Sequence, residues 1–156
     1  MRLMRRVALR RLGTGAGLCA AALAGLLRPL VAVAAQWNKT AFEAQVLTDA
    51  LKELGLSDPE ESADIVIKAP EIAENGAQVP IELSTRIPGA QAIYIFVDKN
   101  PQPFAASFSF MDTAEPFVST RIKMAETSML RVIVRAAQKH YVASREVKVT
   151  IGGCGE

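Results

Sequence analysis

From Asp64 to Ile151 the chain is written in short runs whose apolar residues recur at every second position, and that period rules out a helical core for this stretch. The runs are Asp64 to Ala69, Gln78 to Thr85, Gln91 to Asp98, Phe104 to Met111, Phe117 to Met124, Met129 to Ala137 and Tyr141 to Ile151. Asn75-Gly76, Pro88-Gly89, Asp98-Lys99-Asn100-Pro101 and Asp112-Thr113 separate them with turn chemistry. Alternation is cleanest near the end. Leu130, Val132, Val134 and Ala136 oppose Arg131 and Arg135, and Val147, Val149 and Ile151 oppose Glu146, Lys148 and Thr150, so each strand is expected to keep one wet face. About seven short strands at this spacing predict an all-β fold, an immunoglobulin-like antiparallel sandwich.

Ahead of the strands the period is helical. Thr40-Ala41-Phe42-Glu43 reads as a capping box, and Phe42, Val46, Leu47, Ala50, Leu51 and Leu54 recur on one stripe until Gly55, which predicts one amphipathic helix. Still earlier, Arg2, Arg5, Arg6, Arg10 and Arg11 precede a small-residue apolar run that ends near Ala35. This is the pattern of an export signal over residues 1–34, with Ala32-Val33-Ala34 as the cleavage motif and Arg10-Arg11 or Arg5-Arg6 as a twin-arginine pair. Arg28 and Pro29 shorten the apolar run to roughly 16 residues, below the ~20 that a membrane helix needs. The expectation is cleavage and no stable membrane anchor.

Charge must be counted after that cleavage. The leader holds six of the 18 Lys plus Arg and none of the 16 Asp plus Glu, so the remainder carries 12 against 16, a net of −4. An acidic domain without a cationic run excludes nucleic acid as a partner, because phosphate neutralisation requires clustered Lys and Arg. Cys19 leaves with the leader and Cys154 remains as a single thiol, which cannot form an internal disulfide in an oxidising compartment.

Cys154 sits in Gly152-Gly153-Cys154-Gly155-Glu156, directly after the final alternating run. Three glycines around one cysteine give packing almost nothing to hold, so residues 152–156 read as an arm that presents its thiol. Five residues extend roughly 17 Å at about 3.4 Å each. Prenylation is excluded, since Gly155-Glu156 supplies neither the aliphatic positions nor the terminal residue it requires. The competing reading of the cysteine is an interchain disulfide in a non-catalytic periplasmic binding or structural subunit.

Other chemistry-bearing residues have plainer explanations. His140, between Lys139 and Tyr141, reads as a surface turn residue. One His and one Cys cannot complete a metal site, so no metal, no cofactor and no catalytic residue are expected. Trp37 reads as a packing residue, and Phe104, Phe108 and Phe110 as core or subunit interface. Asn38-Lys39-Thr40 matches a glycosylation acceptor only by accident behind a bacterial leader.

Through Val147-Lys148-Val149-Thr150-Ile151-Gly152-Gly153-Cys154-Gly155, and over the whole mature chain from Trp37 and Phe42 to Arg121-Ile122-Lys123-Met124, the sequence resembles the SoxY family. These are the sulfur-carrier subunits of the thiosulfate-oxidising Sox system. The resemblance implies a periplasmic protein with an immunoglobulin-like domain over residues 35–151 and a carrier arm over 152–156. It implies a heterodimer with a SoxZ-like subunit, and a thiol, Cys154, that carries thiosulfate-derived sulfur between a c-type cytochrome (SoxAX), a hydrolase (SoxB) and a sulfane dehydrogenase (SoxCD). Gly152, Gly153 and Gly155 would be the flexible part. Members of the family end in Gly-Gly-Cys-Gly-Gly, whereas here the last residue is Glu156, which adds a carboxylate beside the thiol.

Overall fold

The structure is a computed structural model and describes residues 38–111 and 114–150. Its core element is a six-stranded sheet built on β5 (Ala90–Val97) and β8 (Ser128–Ala136), which pair antiparallel. β9 (Lys139–Val149) flanks β8, and β6 (Phe104–Ser109) flanks β5. Two two-residue strands, β1 (Glu60–Glu61) and β3 (Ile72–Ala73), run parallel to β9 along its outer edge. A three-stranded antiparallel sheet, β2 (Ile65–Lys68), β4 (Val79–Thr85) and β7 (Phe117–Ile122), packs against the larger one. All seven predicted strands are present, within a residue or two at the boundaries. β1 and β3 were not predicted, because two residues carry no periodicity to read.

Between the sheets lies the main core. Ile81 and Leu83 from β4 meet Ile93, Ile95 and Val97 from β5 and Leu130, Val132 and Val134 from β8, all almost completely buried. Each such side chain contributes about 1.5–3 kcal/mol when fully buried. These are the alternate positions of the strands, as the sequence pattern requires.

The opposite face of β8 corrects the expectation of a wet side. Ala92, Tyr94 and Phe96 of β5, Ile133 of β8 and Val142 of β9 form a second core, roofed by two short helices. These are α1 (Lys39–Glu43) and α2 (Leu47–Glu53). The arginines survive on that face by finding partners. Arg131 makes a forked ion pair with Asp98 (Nη2 to Oδ2 2.9 Å, Nε to Oδ1 3.3 Å), and the Arg135 guanidinium stands 5.8 Å from the Tyr94 ring centroid.

The single predicted helix is also corrected. Ala44 and Val46 are extended, so the stripe is broken into helices of five and seven residues. Helices this short have no stability of their own, and packing decides where they stop. Ala41 and Ala50 are fully buried while Val46 turns out to solvent, 52% exposed. The cap is Asn38 instead of Thr40: its side chain accepts from Ala41 N–H at 3.0 Å and donates to the Glu53 carbonyl at 3.1 Å, tying the two helices together. Gly55, at φ +67, ends α2 with Gly55 N–H on the Lys52 carbonyl and Leu56 N–H on the Leu51 carbonyl. Among the described residues no helix is long and apolar enough to cross a membrane.

A bulge divides the three phenylalanines. Ile95 pairs with Ala106 but Phe96 pairs with Phe104, so Ala105 is an extra residue and the strand changes face there. Phe108 and Phe110 rest on the main core, whereas Phe104 points to the helices. It stacks on Phe42 with centroids 4.1 Å apart and lies 5.1 Å from Phe96. Phe104 therefore links the helix layer to the sheet. Phe104→Ala is expected to lower unfolding free energy by about 3–5 kcal/mol in denaturant titrations.

Candidate functional site

Cys154, Gly152, Gly153 and Gly155, together with Ile151, Trp37, Asp112, Thr113 and the leader, lie outside the described residues. What the structure defines is the platform from which the cysteine segment departs, the C-terminal end of β9.

That end is held from two sides. The backbone pairing of β8 with β9 stops at Ser128 opposite Val147. Thr127 then continues it with a side chain: its hydroxyl accepts from Val149 N–H at 3.0 Å and donates back to the Val149 carbonyl at 3.5 Å. On the other side, Lys148 N–H donates to the Glu71 carbonyl at 3.0 Å and Thr150 N–H to the Ala73 carbonyl at 3.1 Å. Odd residues are bound toward β8 and even ones toward β3, which is the strand alternation carried to its last described residue. The Thr150 hydroxyl adds a long contact to the Glu74 carbonyl, 3.5 Å.

Three loops close around this root. Asn75 begins a turn in which its side chain accepts from Ala77 N–H at 2.9 Å, and Gly76 follows, buried. A Cβ on Gly76 would strike the Met124 carbonyl oxygen and come within 2.9 Å of Val149 Cγ1, so glycine here permits two backbones and a core side chain to meet. Met124 N–H donates to the Gly76 carbonyl at 2.7 Å, and the Met124 side chain is fully buried. Asn100 bridges the next pair of loops, donating to the Lys123 carbonyl at 2.7 Å and accepting from Ala125 N–H at 2.9 Å. Ser128, 2% exposed, accepts from Lys99 N–H at 3.0 Å. These turn residues were legible as turns, but their convergence on one end of β9 was not, because it follows from sheet order.

The charges here are mixed and solvated. Lys99 and Glu126 form an open pair at 3.8 Å, and Lys123, Lys148, Glu71 and Glu74 are exposed. Such pairs contribute little to stability. His140 lies at the other end of β9, paired with Arg135, its Nδ1 3.4 Å from the Ser57 carbonyl. It belongs to the strand, as the second residue after the two-residue turn Ala137-Gln138, and not to the turn itself. Val149 lies nine residues further along the strand, about 30 Å away. Among the described residues no cluster of three His, Cys, Asp or Glu is placed to hold a metal.

A cleft of about 490 Å³ opens beside β1, lined by Glu61, Ser62, Ala63, Arg131, Val142, Ala143 and Ser144. Its arginine is already committed to Asp98, whose hydrogen bond holds the guanidinium pKa above its ordinary value against the opposing effect of burial. The cleft therefore offers an anion no free cation from Arg131.

Comparison with known proteins bears on the whole of this region. The family described as sulfur oxidation protein SoxY matches residues 51–154, a span that includes both the platform and Cys154. Among solved structures, the chain is similar to the sulfur carrier protein SoxY from Chlorobium limicola f thiosulfatophilum. Identity is 52% and the TM-score 0.61, over 67% of this chain and 96% of that one. No curated protein matches.

Thr127→Val keeps the side-chain shape and removes both hydrogen bonds to Val149. It is expected to cost about 1 kcal/mol of stability, and to accelerate amide hydrogen exchange at Val149 while leaving Val132 to Val134 unchanged.

Proposed function

The chain belongs to the SoxY family, and on that premise we propose that it is a periplasmic carrier that holds thiosulfate-derived sulfur covalently on Cys154. The observation that carries the reading is the placement of a lone thiol among glycines, four residues beyond Thr150, the last described residue, which is still tied to its neighbours. Rigid root and compliant arm perform different tasks. The root gives partners a fixed surface to dock on, and an arm of small residues lets one sulfur enter active sites of different shape while it stays attached.

The chemistry belongs to the partners. Thiosulfate joins the Cys154 thiol through a new S–S bond, the thiol proton is released, and two electrons pass to a c-type cytochrome of the SoxAX kind. The product is a cysteine S-thiosulfonate. A hydrolase of the SoxB kind then adds water across the terminal S–S bond, releasing sulfate and leaving a sulfane sulfur on the cysteine. A SoxCD-like sulfane dehydrogenase, or a further cycle, oxidises that sulfur. This chain supplies no acid or base to these steps. A thiol has an ordinary pKa of about 8.5, and the Glu156 carboxylate disfavours thiolate, so activation is assigned to each partner's site.

A SoxZ-like subunit completes the carrier as a heterodimer, and residues 1–34 direct export and are then removed.

Intact mass of protein from cells grown on thiosulfate tests the reading. Wild-type chains are expected to carry added sulfur or sulfonate, and Cys154→Ser chains none, with fold and partner binding retained. A wild-type mass showing only free or disulfide-linked Cys154 would instead establish the structural-subunit alternative. Gly153→Pro stiffens the arm and removes an N–H. Transfer should then slow to some partner enzymes more than others, measured as single-turnover rates with each; equal rates would show that compliance is irrelevant.

A further inference from the structure

The turn beside the β9 root contains the one place in the chain where an asparagine precedes a glycine. Of the three asparagines, Asn38 is followed by Lys39 and Asn100 by Pro101, which has no N–H, whereas Asn75 is followed by Gly76. With no Cβ beside it, the Gly76 nitrogen is unshielded as a nucleophile toward the Asn75 side-chain amide. Its attack forms an N–Cγ bond, the Cγ–Nδ2 bond breaks, and ammonia leaves with the Gly76 amide proton. Water then opens the resulting five-membered imide at either carbonyl. The products are aspartate, or isoaspartate in which the main chain runs through the side-chain carbon. Water is the only co-reactant, and nothing is oxidised or reduced.

The fold opposes the first of these steps. Asn75 is exposed, but its Oδ1 is held by Ala77 N–H at 2.9 Å and its carbonyl by Gln78 N–H at 3.3 Å. Gly76 is buried, and its own carbonyl accepts from Met124 N–H at 2.7 Å. Bringing the Gly76 nitrogen onto the side-chain carbon turns the Asn75–Gly76 peptide plane. That plane carries the carbonyl bound by Gln78, and the next plane carries the one bound by Met124, so the imide cannot close without breaking the turn.

We propose that Asn75-Gly76 is a deamidation site gated by the docking of β9, and that its product unseats the β9 root. Val149 lies against Gly76, and the Thr127 hydroxyl holds Val149, so the turn stays shut while the end of β9 stays docked. Local opening of that end releases the turn, and slow chemistry proceeds from such opened states. The product does not return to the same fit. Isoaspartate adds one carbon to the main chain where even a Cβ on Gly76 would strike the Met124 carbonyl oxygen and come within 2.9 Å of Val149 Cγ1. Either product also sets a new carboxylate beside exposed Glu71 and Glu74. The carbonyls of Glu71, Ala73 and Glu74, which bind Lys148 and Thr150, immediately precede the altered residue. A reversible opening of the root is thereby made permanent. The proposal is independent of the carrier reading.

Incubation of the exported protein in mildly alkaline buffer, followed by peptide mapping for deamidated mass and for isoaspartate, tests it. Native chains should deamidate at Asn75 at least about tenfold more slowly than a free peptide spanning residues 71–80. Thr127→Val, which removes both hydrogen bonds to Val149, should speed the native reaction about fivefold. Asn75→Ser keeps a side-chain oxygen for the turn and has no amide to lose, so its peptide mass should stay constant. In the isoaspartate-bearing fraction, amide hydrogen exchange at Lys148 and Thr150 should accelerate while Val132 to Val134 stay protected. Native deamidation at the rate of the free peptide, a Thr127→Val rate equal to that of wild type, or unaltered exchange at Lys148 and Thr150 in modified chains would each overturn the assignment.

Discussion

Burial on both faces of one sheet is the constraint from which the rest of this molecule follows. β5 alone places Ile93, Ile95 and Val97 in one core and Ala92, Tyr94 and Phe96 in the other. A strand fixed on two sides cannot slip by one residue, since that would exchange a β-branched aliphatic face for an aromatic one. The register of β5 sets β8, and β8 sets β9 over nine residue pairs from Ala136 opposite Lys139 to Ser128 opposite Val147. The position of the C-terminal end of β9 is thus inherited from core packing two strands away.

The second core explains what could and could not be read beforehand. Seven strands were legible because Leu130, Val132 and Val134 or Val147 and Val149 repeat at period two, and a sheet face is the direct consequence. Burial of Ile133 and Val142 on the opposite face was not, because each is one apolar residue among polar ones and only the roof of α1 and α2 gives it a partner. The break at Ala44 to Val46 was hidden for a similar reason: tertiary contacts of Ala41 and Ala50 override a stripe that suits one continuous helix. The bulge at Ala105 left no local mark in Phe104-Ala105-Ala106. Its effect appears only when β6 is laid against β5.

The site divides in the same way. Cys154 stands out in the sequence by its glycine neighbours alone, while the residues that secure the platform are unremarkable as text. Thr127 is one hydroxyl in a polar turn, and Gly76 one glycine after an asparagine. Their roles come from long-range placement, Thr127 against Val149 and Gly76 against Met124 and Val149. In the proposed carrier these residues hold the strand end that leads into the cysteine segment.

β9 is also the last described strand in chain order, yet it pairs with Glu60-Glu61 and Ile72-Ala73, laid down some eighty residues earlier. Contacts so distant along the chain form late in folding, because the intervening loop must close first. Until β9 docks, β1 and β3 have no mate and β8 lacks one neighbour. The closing step of the fold is thus the one that mounts the thiol-bearing segment, so in the carrier reading a half-folded chain has no platform on which to offer its cargo.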